Sequence, residues 1–324
     1  MKKKLQSLIE IAEQIGRYPD FIQGAGGNLS VKINDKQMLI KASGLRFNEL
    51  GGTHEFALAD YKKLCLRYGG KKSFFNEKEE AKFIAGCSNG IRPSMEAGFH
   101  AFLGTYVLHT HSVYSNIISC AVGGEKIAMK ICRDLGIRAA FLDYINPGPD
   151  LAFAMGKLIK KHLAIPSVIF LANHGLVISG NTAKEVLTIH KKLNDGIKRE
   201  LKLSSYPRVG IKMFGKIFKS KYLSKFNGLE FKRKILFPDQ VVFCDSVSLS
   251  GKKSDGAKIQ IDSREVLYNM GRREAIATEE ILNAWNYIFT SIRHRKMRVR
   301  VLPASSVEYL KNMESEKHRK NMMK

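Results

Sequence analysis

Residues 107–113 read VLHTHSV, two histidines one residue apart at the end of a short apolar run. Imidazole nitrogens bind zinc at about 2.0–2.1 Å, so such a pair is a candidate set of metal ligands. Backbone conformation decides whether the pair can share an ion. On a strand alternate side chains share a face and His109 and His111 point together. On a helix, residues two apart diverge by about 200°. A catalytic zinc site takes three protein ligands and keeps one position open. The stretch LANHGL offers His174 as the third, followed by a glycine that lets the backbone turn close to a ligand. Glu96, at the start of a helical stretch, is placed to reach the same point. With nine histidines in 324 residues, chance is a real rival for any one pair, so the rest of the chain has to carry the assignment.

Two glycine-rich segments add a second chemistry. GAGGN (24–28) and ASGL (42–45) bracket a hairpin, LSVKI-NDK-QMLIKA, and so fall at one edge of a sheet. Their backbone N–H groups, with the side chains of Asn28, Ser43 and Ser94, suit an oxyanion such as phosphate. The same residue types also serve ordinary turns.

The elements that must position these groups follow from periodicity. Leu5, Leu8, Ile9, Ile11, Ala12 and Ile15 recur at helical spacing, which predicts a helix over 3–16. Pro93-Ser94 opens a helix over 94–104, YVLHTH (106–111) reads as a strand, and 112–121 returns to helical spacing. A helix starts near Asp150. SVIFLAN (167–173) and HGLVISG (174–180) read as strands, with an amphipathic helix over 183–202. Interleaved strands and helices without a regular repeat predict a mixed sheet covered by helices. Residues 70–90 read as an exposed excursion. From 203 the pattern turns basic and weakly periodic, placing a boundary near 204. Beyond it QVVFCDSVSL reads as a strand, 274–292 as a helix, and KHRKNMMK as a solvated tail.

Composition narrows the class. Hydrophobic residues make up 44% and charged residues 26%, ordinary values for a globular protein. No apolar run is long enough to span a bilayer, and the amphipathic N-terminus does not read as a secretory signal. Five cysteines without paired spacing argue against a disulfide scaffold and for a reducing cytoplasm. The formal charge of +24 raises nucleic-acid binding, but no nucleic-acid motif accompanies the scattered Lys and Arg, so neither nucleic acid nor membrane is expected as a partner. Trp285 reads as a packing anchor, the cysteines as small core residues, and His100 as a packed helix residue. His54, His162, His190, His294 and His318 are expected to face solvent.

In order and spacing, GAGGNLSVK, MLIKASGL, PSMEAGFH, VLHTHSV, NPGPDLA and ANHGLVISG resemble the class II aldolase/adducin family over roughly residues 3–204. The resemblance implies an α/β fold, a three-layer α/β/α sandwich around a mixed, largely antiparallel sheet, with 205–324 as a smaller C-terminal α+β extension. It implies one Zn2+ per subunit on His109, His111 and His174. Glu96 is then the acid/base, and Gly27, Asn28, Ser43, Gly44 and Ser94 hold the substrate phosphate. The implied reaction is carbon–carbon cleavage in a phosphorylated or anionic sugar by a cytoplasmic homotetramer. An enediolate left by such cleavage needs an electrophile, which zinc supplies. Epimerisation or dehydration at the same site, or a non-catalytic adducin-like module, are the alternatives. Three features depart from the aldolase pattern. Met95 stands where a second serine is common, a tyrosine of the aldolases has no counterpart near Lys130 (Tyr144 fits another family tyrosine), and the chain runs about 120 residues past the family domain.

Overall fold

The structure is a computed structural model that describes residues 1–70, 77–224, 226–249, 256–262 and 265–322. Part of the expected excursion, 71–76, lies outside the described residues; its remainder includes a helix, Glu77–Gly86.

Seven strands form the main sheet: β1 (Asn28–Lys32), β2 (Gln37–Lys41), β3 (Phe56–Asp60), β4 (Tyr106–Thr110), β5 (Ala139–Leu142), β6 (Val168–Leu171) and β7 (Gly175–Gly180). Their order is β3-β2-β1-β4-β7-β6-β5. All pairs are antiparallel except β5 with β6, so the sheet is mixed and largely antiparallel. Helices cover both faces, as the burial of every residue in β4 requires. On one face the apolar cluster joins Leu8 and Ile11 of the helix Lys2–Gly16 to Leu29, Leu108, Leu176 and Ile178. On the other, Val107 and Val177 meet Leu64, Phe99 and Leu151 from the helices Tyr61–Gly69, Ala97–His100 and Pro149–Lys161. The expected helix over 94–104 is thus a single turn.

A second sheet is built from β8 (Ile211–Phe214), β9 (Ile217–Ser220), β10 (Val247–Ser248), β11 (Ile259–Ile261) and β12 (Val266–Tyr268), in the order β10-β11-β12-β9-β8. The helix Arg272–His294 lies against it and against the helix Val113–Ser119. It carries fully buried Trp285, stacked on Phe289 and donating its indole N–H to the Lys234 carbonyl. The apolar residues around Trp285 are continuous with those of the N-terminal half.

Three expectations are corrected. QVVFCDSVSL is mostly not a strand: residues Pro238–Phe243 form a helix, and only Val247–Ser248 pair. Pro238 at the first helical position and Asp239 in the first turn start that helix. The tail is also folded. Glu314–Asn321 is a helix whose buried residue is Glu316. His190 does not face solvent. It is 2% exposed, packs edge-on against Phe21 and pairs with the Thr110 hydroxyl. No helix among the described residues is long and apolar enough to cross a membrane.

Burial, and to a lesser degree the charge of Lys198, holds His190 neutral, pushing its pKa down to about 3. The unfolded chain takes up a proton near pH 6.5 and the folded chain does not, so stability falls as pH drops from about 6.5 toward 3. Urea unfolding at about pH 7 and pH 5 should show wild type losing about 2 kcal/mol more than His190→Gln. Equal losses would contradict this account of His190.

Candidate functional site

Register places the site. Asn28 of β1 lies opposite His109 of β4, which lies opposite Val177 of β7. His109 follows Val107 onto the face bearing Phe99, and their rings meet edge-on at 5.6 Å. His111 sits just past the end of β4. His174 lies in the tight β6–β7 connection, where Asn173 adopts a left-handed φ of 54°. Gly175 needs no special φ, the left-handed turn falling on Asn173; the close approach expected of the glycine is what it provides. Its lack of a side chain is what matters, because a Cβ there would lie 2.5 Å from the Thr110 carbonyl and 3.0 Å from the His109 ring.

The three imidazoles converge. Their candidate ligand atoms all lie within 4.8 Å of one another, and all three residues are buried. Nε2 of His109 is 3.2 Å from Nε2 of His111. Outer partners determine which nitrogen faces inward. Nδ1 of His109 is 3.0 Å from the Leu176 carbonyl, which can only accept, so Nδ1 donates. Nδ1 of His111 is 2.6 Å from Asp239 Oδ2. Burial acts to raise the Asp239 carboxyl, but the charge of Arg319, then that of His111, holds it well below the usual range. Asp239 therefore accepts from Nδ1–H. With both Nδ1 atoms donating, each ring in its neutral form turns its Nε2 lone pair toward the other, the two nitrogens 3.2 Å apart. A cation between them satisfies both. His174 adds a third nitrogen, and burial, followed by its two histidine neighbours, keeps it neutral. The residues thus fit a divalent metal with three nitrogen ligands.

Glu96 stands beside this cluster. Its Oε1 lies 3.3 Å from His109 Nε2 and 3.5 Å from His174 Nε2. Burial opposes its ionisation, but His109, then His174 and His111, lower it well below the ordinary carboxylate range. Asn28 donates its amide to Glu96 Oε2 at 3.4 Å, while its own oxygen accepts from the Leu29 N–H. The Asn28 side chain is thus engaged with Glu96. Gly27, Ser43, Gly44 and Ser94 line the same cleft as Glu96, His111 and His174. Ser94 accepts from the Glu96 N–H at 3.2 Å.

Four cleft residues were not found in the sequence. Lys41, fully buried, donates to the Leu45 carbonyl at 2.7 Å, and burial pushes its pKa down to about 8. Asp239, Glu316 and Arg319 come from beyond residue 204. No spacing ties them to the histidines; the one signal in the sequence was Pro238 followed by an acidic residue, which marks a helix start at Pro238 with Asp239 in its first turn. His100 is the packed residue expected, bonded to the Ser30 hydroxyl at 2.8 Å. A side chain at Gly26 would collide with the His111–Asp239 pair, its Cβ falling 2.6 Å from one and 2.7 Å from the other.

The sequence profile of the family described as "Class II Aldolase and Adducin N-terminal domain" matches residues 6–197. No curated protein matches. Among solved structures, the chain is similar to the N-terminal class II aldolase domain of a conserved protein from Thermoplasma acidophilum, with 22% identity and a TM-score of 0.49 over 60% of this chain and 92% of that one. It is also similar to YgbL, a putative aldolase/epimerase/decarboxylase from Klebsiella pneumoniae, with 18% identity and a TM-score of 0.46 over 72% and 97%. A third is L-fuculose-1-phosphate aldolase from Thermus thermophilus, with 14% identity and a TM-score of 0.42 over 62% and 96%.

The Asp239 contact yields a test. Partners of this kind orient metal-ligating histidines, and losing one typically costs about 10–100-fold in metal affinity. Asp239→Asn should weaken metal binding by that amount in competition with a chromophoric chelator. Unchanged affinity would remove Asp239 from the site.

Proposed function

The chain belongs to the class II aldolase and adducin family, and from that premise we propose that it is a zinc-dependent lyase acting on a phosphorylated sugar. The observation that carries this reading is the convergence of His109, His111 and His174 with a buried carboxylate within 3.5 Å of two of them. Nitrogen ligands of this number, with an oxygen ligand at the fourth position, suit zinc. When bound, zinc supplies an electrophile that withdraws charge from a carbonyl and its neighbouring hydroxyl.

The chain's own residues do the rest. Glu96, ionised at the start, takes the proton of the hydroxyl whose carbon becomes the released carbonyl and gives it to the carbon left electron-rich when the carbon–carbon bond breaks; the reverse direction runs both transfers backward. Asn28 holds one Glu96 oxygen and so directs the other toward the reacting atoms. Gly27, Ser43, Gly44 and Ser94 receive the phosphate through backbone N–H groups and hydroxyls, with Lys41 as the nearby cation. His109 is buried with its ring edge-on to Phe99, which closes that side of the site to water. The net charge of +24 favours capture of an anionic substrate. The reading includes a cytoplasmic homotetramer.

Epimerisation and dehydration use the same groups and differ in product. A pure interaction module has no use for three histidines and a carboxylate converging in a buried cleft.

Protein purified without chelators should hold about one zinc per chain. Incubated with a panel of ketose phosphates, it should release carbonyl fragments visible by NMR. Glu96→Gln should keep its zinc and lose about 10²–10⁴-fold in kcat. An isomer or a dehydrated sugar as the sole product would reassign the reaction. Full turnover in metal-free protein would end the proposal.

A further inference from the structure

The C-terminal helix Glu314–Asn321 lies over the cleft. A Cβ on Gly44, whose φ is +82°, would sit 2.7 Å from the Met322 side chain and 3.9 Å from the Arg319 Cα. The helix therefore seats directly on the segment, 43–44, assigned to the phosphate. With it in place the cleft holds only about 20 Å³ of free space. That is room for about one water, not for a sugar phosphate. A sugar phosphate fits beneath the helix only if the helix shifts outward.

Its seating suits such a movement. The helix buries one of its own residues, Glu316; its other contacts are mostly polar, with the Arg319 guanidinium 5.4 Å from the Phe243 ring and Met322, just past its end, against Gly44. Lys320 pairs with Asp245 at 2.6 Å and Arg273 donates to the Met322 carbonyl at 2.6 Å. Exposed or half-exposed pairs of this kind add little stability each. The inward contact is Arg319, whose terminal nitrogen meets Asp239 Oδ1 at 2.5 Å.

Arg319 also has capacity to spare. A guanidinium has five N–H donors in a planar fork suited to phosphate. Nε of Arg319 is buried and makes no hydrogen bond; it lies 2.7 Å from Glu316 Oε2, near enough for an ion pair but without the alignment of a hydrogen bond. In the cleft, two cations, Lys41 and Arg319, face three carboxylates, Glu96, Asp239 and Glu316. A divalent metal on the histidines adds two positive charges to that balance, and the cleft then favours an anion.

We propose that Arg319 receives the phosphate of the substrate, and that the C-terminal helix, lifted from the seating seen in the empty cleft, settles back over a phosphate held at Ser43 and Gly44 with Arg319 turned toward it. This rests on the metal-dependent sugar-phosphate reading above. The extension is then a working part of the site, and Arg319 sets its specificity for a phosphorylated substrate over its unphosphorylated counterpart.

The test uses the full-length, zinc-loaded chain and inorganic phosphate as the probe. Calorimetry should show phosphate binding to wild type, at least about tenfold weaker binding to Arg319→Gln, and an intermediate loss in Arg319→Lys, which keeps the charge but not the fork. Zinc content should be the same in all three. Phosphate should slow amide hydrogen exchange in residues 314–322 of wild type. On sugar phosphates, the variants should raise KM more than they lower kcat. Equal phosphate affinity in Arg319→Gln, absence of phosphate binding by zinc-loaded wild type, or exchange that phosphate leaves unchanged would each overturn the proposal. Loss of zinc from both variants would overturn it too, making Arg319 a support for Asp239 and His111. Failure of wild type itself to take up zinc would instead strike the functional reading beneath it.

Discussion

Three imidazole rings turn their nitrogens toward one another in a space from which water is nearly excluded, and much of the surrounding structure follows from that arrangement. Two of the rings are fixed from behind, His109 by the Leu176 carbonyl and His111 by Asp239. These outer contacts leave the Nε2 atoms facing inward, where the lone pairs of the neutral rings are available to a cation. The backbone yields space accordingly. Gly26 and Gly175 are sites where any side chain would run into the imidazoles or their supports. The antiparallel pairing of β1, β4 and β7 brings Asn28, His109 and the residues beside His174 to one edge of the sheet.

The extension past residue 204 is joined to this centre at two levels. Its apolar residues, Trp285 among them, continue the core on one face of the main sheet. Its polar residues reach the cleft, where Asp239 pairs with His111 and Arg319 pairs with Asp239. Burying such a chain of charges is costly unless each member is paired. Here each charge has a partner, with one exception in geometry: the Arg319–Glu316 contact is close but poorly aligned. Burial pushes the Glu316 carboxyl up to about 7 despite the pull of Arg319. The cleft is therefore electrostatically poised even before any ligand enters.

The parts of the site read from the sequence were those set by local periodicity. Strand alternation put His109 and His111 together, and a strand-to-strand junction located His174. Glu96 followed from a helix start. The parts missed were set by tertiary contact. QVVFC has the composition of a strand, but Pro238 and Asp239 start a helix there, and it is that helix that delivers Asp239. KHRKNMMK reads as a solvated tail because all its charges count as polar; only docking onto the cleft pairs Arg319. His190 was misread from its charged neighbours, although Val186, His190, Leu193 and Ile197 share one helical stripe and are all buried. The short edge strand β5, four residues long, carried too little pattern to be recognised.

The central claim is that three histidines hold a zinc ion whose remaining position is open to oxygen. X-ray absorption spectroscopy on the zinc-loaded protein addresses the coordination sphere itself. The predicted result is three nitrogen scatterers with imidazole signatures at about 2.0–2.1 Å and one oxygen at a similar distance, without sulfur. A sulfur scatterer near about 2.3 Å, or a sphere with no imidazole signature, would contradict it.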